Sequence, residues 1–211
     1  MAVKHFLETQ KTARYFTHHT LSDQTETIWI LIHGYAQTAE NMISGFETLD
    51  ARNFLIAPEG LNKFYSKGIG GVPVANWMTS LDRETEIKDY ICYLNNLYET
   101  LHFSQYPKAK IVVLGFSQGV ATGSRWVQAT NHRVDLFLMV AGDIGNEMHK
   151  KLPTKFDAQK KAFFIGDSDS LIQQENVNLL KGLLGKHTPF YTFAGKHEIN
   201  ADCLKIILEI I

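Results

Sequence analysis

Six short apolar runs punctuate this chain: Ile28 to Ile32, Phe54 to Ala57, Ile111 to Leu114, Leu136 to Val140, Ala162 to Ile165 and Pro189 to Phe193. Unbroken runs rich in β-branched and aromatic residues are buried on both faces, which marks parallel rather than antiparallel strands. Helical patterning fills the stretches between them. Ile87, Ile91, Leu94, Tyr98 and Leu101 recur at spacings of three and four, and Thr79, Asp82, Glu84 and Glu86 supply a cap and first-turn acids, so a long amphipathic helix is expected there. Such alternation predicts an α/β fold with a mostly parallel central sheet and helices on both faces.

The 211 residues fit one domain spanning 1–211, with no room for a second. Only about twenty residues separate Val140 from Ala162, so no separate lid domain is expected. Lys4 to His19, with Phe6, Tyr15 and Phe16, reads as a hairpin leading onto the sheet edge. Gly60 to Asn76 is Gly-rich and aperiodic, which reads as a long functional loop. Charged residues make up 20% and the formal net charge is −1, which points away from a nucleic-acid partner, an anionic membrane surface and disorder. The lysines at 150, 151, 155, 160 and 161 read as a solvated face. The two cysteines, Cys92 and Cys203, are expected as free buried thiols in a reducing compartment. The opening Met-Ala-Val-Lys-His holds no apolar export segment, and no apolar run reaches the roughly 18 residues of a membrane span. A cytoplasmic protein without stable membrane insertion is the expectation.

The third apolar run passes into Gly115-Phe116-Ser117-Gln118-Gly119-Val120-Ala121. A Gly-x-Ser-x-Gly pentad alone is weak, but a buried strand before it and small residues after it describe a strained strand-to-helix turn that exposes a serine. Gly115 and Gly119 remove side chains that would collide with the neighbouring strand and helix. In sheets of this kind ligands lie beyond the carboxyl ends of the strands. There the chain supplies Gly166-Asp167-Ser168-Asp169-Ser170-Leu171-Ile172 after one strand and Ala194-Gly195-Lys196-His197-Glu198-Ile199 after the next. The order serine, acid, histidine is that of α/β-hydrolases. A serine hydroxyl needs a base to take its proton, and the base needs a carboxylate to fix its tautomer, so Ser117, His197 and an aspartate are the catalytic candidates. Either Asp167 or Asp169 satisfies the spacing, with Asp143 an outside candidate on an earlier strand. For the oxyanion, the amides of Gln118 and of Tyr35, within His33-Gly34-Tyr35-Ala36-Gln37, are the expected donors. His33 reads as a residue that shapes this loop. His18 and His19 point to opposite sides of a strand and cannot chelate one ion, and no other metal set is visible.

These four segments together resemble the phospholipase/carboxylesterase family of α/β-hydrolases, which includes acyl-protein thioesterases. Family members carry a His-Gly oxyanion loop, a Gly-Phe-Ser-Gln-Gly elbow, a Gly-Asp-x-Asp acid loop and a Gly-x-x-His motif; the first three are matched here by His33-Gly34, Gly115 to Gly119 and Gly166 to Ile172, and Gly195-Lys196-His197 corresponds to the last with one residue fewer between glycine and histidine. The resemblance spans nearly the whole chain. It assigns the nucleophile to Ser117, the acid to Asp169 rather than Asp167, the base to His197 and the oxyanion amides to Tyr35 and Gln118. The chain departs from the pattern at Ala36 or Gln37 and at Val120, where glycines are common. Asn76-Trp77-Met78-Thr79 stands in place of Ser-Trp-Phe-Asp. What the resemblance implies is a serine hydrolase that cleaves carboxylic oxyesters or thioesters through an acyl-enzyme on Ser117, needing no cofactor. A lysophospholipase or acyl-protein thioesterase is the alternative within that chemistry, and a non-catalytic binding module is the alternative outside it. Phe64, Tyr65, Trp77 and Leu171 are the expected substrate contacts, in a shallow pocket suited to short or medium acyl chains. Exposed apolar residues of the long loop would allow a homodimer.

Overall fold

Each of the six apolar runs forms a strand. The computed structural model describes residues 1–211, with β1 (Tyr15–His18), β2 (Thr27–Ile32), α1 (Ala39–Ser44), β3 (Asn53–Pro58), β4 (Asn62–Tyr65), β5 (Pro73–Asn76), α2 (Arg83–Thr100) and β6 (Lys110–Phe116). There follow α3 (Gln118–Ala129), β7 (Leu136–Val140), α4 (Thr154–Ala158), β8 (Lys161–Gly166), α5 (Gln174–Leu184), β9 (Phe190–Phe193) and α6 (Ala201–Glu209). Seven strands make one sheet in the order β1-β3-β2-β6-β7-β8-β9. All neighbours from β3 to β9 pair in parallel, and β1 alone runs antiparallel, with Phe16 opposite Ala57.

Strand residues alternate between two cores, as a period of two requires. Ile28, Ile30, Ile111 and Val113 join Tyr90 and Leu94 of α2, Trp126 of α3 and Leu180 of α5 on one face. Trp29, Leu31, Val112 and Leu114 join Met42 and Ile43 of α1 and Cys203 and Ile207 of α6 on the other. Helices therefore cover both faces, and the connection from β7 to β8 holds only a short 3-10 turn and α4, with no separate lid.

Four local expectations are corrected. The segment before Tyr15 forms no strand, so the N-terminal hairpin is absent. Phe6 and Leu7 are exposed, and the segment is tied to the body by Lys4 to Asp82 and Lys11 to the Leu61 carbonyl, not by a strand ladder. Second, the aperiodic stretch Gly60 to Asn76 is largely a hairpin, β4 with β5, registering Asn62 on Asn76 and Tyr65 on Pro73. No residue of β4 is fully buried, so its sequence lacks the apolar alternation that a strand on a core displays. Third, Asp82 precedes α2 in a left-handed conformation, φ 53°, without a capping bond. Glu86 instead reaches back to accept from the Thr79 N–H at 2.5 Å. Fourth, Cys92 is exposed on α2, and only Cys203 is buried; burial raises its thiol pKa to about 12. No helix is long and apolar enough to cross a membrane.

Candidate active site

Ser117 sits between β6 and α3 with φ 52° and ψ −117°, a backbone conformation that side-chain-bearing residues seldom adopt. The packing around it enforces the turn. A Cβ on Gly115 would lie 2.4 Å from the Gly119 carbonyl oxygen, and one on Gly119 would lie 2.1 Å from that of Ile32. Strand, helix and β2 can approach this closely only where side chains are missing. The Ser117 N–H donates to the Val140 carbonyl at 2.9 Å, tying the turn to β7.

The loop after β9 brings His197 to this serine, with Nε2 3.0 Å from Ser117 Oγ. Its Nδ1 lies 2.9 Å from Asp169 Oδ2. A carboxylate can only accept, so Nδ1 carries the proton and Nε2 keeps its lone pair toward the serine hydroxyl. The Asp169 side chain is 0% exposed, and its other oxygen accepts the N–H groups of Leu171 at 2.9 Å and Ile172 at 3.2 Å. The two competing carboxylates are engaged elsewhere. Asp167 accepts from the Ser168 hydroxyl and the Gly195 N–H, while Asp143 accepts from the Ile144 N–H and meets His149 at 3.0 Å. The Phe116 ring packs on the imidazole at 5.1 Å between centroids.

Neither the Tyr35 N–H nor the Gln118 N–H has an acceptor within the protein, and Gln118 opens α3, where amides are unpaired and the dipole favours an anion. The Tyr35 loop is clamped from several sides. His33 is fully buried; its Nδ1–H donates to the Gly34 carbonyl at 2.7 Å, and its Nε2 accepts the Gly60 N–H at 2.9 Å. Burial pushes the His33 pKa down, in keeping with a neutral ring. Trp77 Nε1–H donates to the His33 carbonyl at 2.9 Å. Ala36, at φ 57°, donates its N–H to the Ala75 carbonyl, and Ala75 returns a bond to Gln37. The Gln118 side chain accepts the Trp77 N–H and donates to the Met78 carbonyl, so α3 and the loop share one scaffold.

Beside the loop, the Glu59 side chain is 1% exposed and bound bidentately by Arg14 at 2.5 and 2.9 Å. Burial raises its pKa, but Arg14, the Ala39 N–H and Lys63 outweigh burial and hold the carboxyl below its usual range. Sequence reasoning did not single out Glu59, although an acid directly after the apolar β3 strand was a readable signal.

A cavity of about 340 Å³ opens at Ser117 and His197. Ile144, Phe163, Ile172, Val177 and Leu180 form its apolar wall, with Leu171 at the rim. Of the expected substrate contacts only Leu171 lines it. Trp77 is 1% exposed, packed against His33 and edge-on to Tyr90, because its indole N–H is needed inside by the His33 carbonyl. Phe64 packs at a tilt against Tyr35, 5.2 Å between centroids, beside the loop after β2, and Tyr65 points to solvent. Asn176, Val177 and Leu180 of α5, which do line the cavity, were not singled out in the sequence, where apolar residues at helical spacing carry no signal that separates a cavity wall from core.

Strand order, elbow and loop placement together define an α/β-hydrolase fold. No family model and no curated protein matches the sequence. Solved structures do match. An acyl-protein thioesterase 2 of Zea mays superposes with TM-score 0.70 at 16% identity over 94% of this chain and 97% of that one. A phospholipase/carboxylesterase from Dyadobacter fermentans gives 0.67 at 13% over 96% and 97%, and the esterase PE8 gives 0.64 at 15% over 95% and 98%. At these identities the likeness is one of fold.

Proposed function

We propose that this protein is a serine hydrolase that cleaves carboxylic oxyesters or thioesters through an acyl-enzyme on Ser117. The observation that carries this reading is His197 bridging Ser117 Oγ and a buried Asp169 carboxylate. As Ser117 Oγ attacks the carbonyl carbon, His197 Nε2 takes its proton. Asp169 stabilises the imidazolium that forms. Charge developing on the carbonyl oxygen is met by the Tyr35 and Gln118 N–H groups, each worth roughly 2.7 to 4 kcal/mol in such a role. His197 then protonates the departing alkoxide or thiolate, and water releases the acid by the same steps in reverse.

The esterases and the thioesterase that share the fold support the reaction class. A cavity of about 340 Å³ is at the small end of ligand sites, which favours a short or medium acyl group over a long lipid chain. The test is covalent labelling with a fluorophosphonate, expected on Ser117 in equimolar amount. Ser117→Ala should abolish labelling and lower kcat on p-nitrophenyl butyrate by about 10⁴- to 10⁶-fold. Retention of more than a tenth of the activity would overturn the reading.

A further inference from the structure

The cavity beside Ser117 carries one formally charged side chain, and it is negative. Among the lining residues there is no lysine or arginine, and besides His197 the only ionisable group is Asp143, in the loop after β7. Its Oδ1 is taken by the Ile144 N–H at 2.8 Å and by His149 Nε2 at 3.0 Å. Its Oδ2 has no partner in the protein, and the side chain is half exposed. Asn146 and Asn176, also in the lining, leave their side-chain amides equally unengaged. The cations of this region are committed elsewhere: Arg125 and Arg83 both bind Glu147, at 2.7 and 2.8 Å. His149, which shares Asp143 Oδ1, is outside the lining.

A cavity with an apolar wall and one unshared carboxylate oxygen is the complement of a group that combines alkyl surface with positive charge. A carboxylate brought into it would face like charge with no cation to relieve it. Building on the hydrolase reading, we propose that Asp143 determines specificity: this site selects esters and thioesters that carry an ammonium group and rejects those that carry a second carboxylate. The ammonium reaches Asp143 from either the acyl or the leaving part of the substrate, and the arms of the test tell the two apart.

The acyl arm uses three p-nitrophenyl esters of matched length: trimethylammoniohexanoate, its neutral tert-butyl isostere, and monopimelate. The leaving-group arm compares butyrylthiocholine with the neutral dimethylbutyl thiobutyrate. All assays run at one fixed pH of about 8. In the arm whose charge reaches Asp143, kcat/KM should favour the cation over its neutral isostere about tenfold; where that is the acyl arm, the anionic ester should trail by a similar factor. Asp143→Asn should bring these ratios within about threefold of unity. Asp143→Lys should invert them, and added salt should narrow them in the wild type. Ratios taken within one preparation do not depend on the folded fraction, so a poorly folding variant still reports. Wild-type ratios near unity in both arms, or ratios that Asp143→Asn leaves unchanged, would overturn the inference alone, since turnover of the neutral esters keeps the hydrolase reading intact. No turnover of any ester, together with no fluorophosphonate labelling, would overturn both.

Discussion

Two loops flank the Ser117 turn, one carrying Asp169 behind His197 and one carrying Tyr35, and the groups they carry are held in different ways. In the loop after β8 the Asp169 carboxylate is gripped from within, by the amides of Leu171 and Ile172 two and three residues further on, while Asp167 and Ser168 tie the loop to Phe193 and Gly195. The loop after β2 is held chiefly from without: His33 meets Gly60 and Trp77, 27 and 44 residues further along the chain, and Ala36 and Gln37 meet Ala75, beside the local bond from the Gly34 N–H to the Gln37 side chain. The grip on the carboxylate itself is written into a short sequence. A remote clamp needs the whole fold, so damage to it should appear first as lost stability and only then as lost rate.

The largest expected effect lies in the local loop. Asp169→Asn should lower kcat by about 10³- to 10⁴-fold on p-nitrophenyl butyrate, because the imidazole loses the partner that holds its tautomer. Asp167→Asn should cost less than about tenfold, since that carboxylate braces the loop without meeting the base. The reverse ranking would break the contrast by moving the acid role to Asp167. In the clamped loop, Trp77→Ala should reduce the unfolding free energy by about 3 to 5 kcal/mol, read by urea titration, because it empties a buried site and orphans the His33 carbonyl. Its dependence on acyl-chain length should keep the wild-type shape, and a flattened profile would return Trp77 to the substrate.

The smallest effect sharpens the same contrast through pH. Burial lowers the His33 pKa below its ordinary 6.5, so the unfolded chain binds a proton there more readily than the folded one. Stability from this source is complete above about pH 6.5 and is lost as pH falls toward the lower folded-state value. His33→Gln should therefore cost about 1 to 2 kcal/mol near pH 7.5, and the deficit should shrink on acidification as the wild type alone pays this proton penalty. A deficit that grows in acid would mean His33 is charged in the fold.

The legibility of the chain follows the same division. All six strands of the parallel sheet were readable because burial on both faces leaves an unbroken apolar run. The elbow was readable because close packing demands Gly115 and Gly119 at fixed offsets from Ser117. The β4–β5 hairpin was not, since β4 buries no residue fully and only Ala75 and Asn76 of β5 are buried, too few to display a pattern. Trp77 was misread for a related reason: an aromatic residue beside a site looks the same in sequence whether its indole N–H serves a substrate or a carbonyl. The choice of Asp169 over Asp167 came from family likeness; the residues alone left both open, because two acids two positions apart on a tight loop differ only in the direction the backbone gives them.

The positive φ of Ser117 has a consequence for how a cycle of the proposed reaction would begin. A backbone in that region costs on the order of 1 to 3 kcal/mol, and here the glycine contacts with Ile32 and the bond to Val140 hold it in place. The freedom of the serine backbone is thus surrendered once, when the chain folds. Under the proposed hydrolysis an arriving ester would meet an oxygen already oriented, and the entropy that a floppy nucleophile would lose at every turnover would have gone before the first substrate is bound.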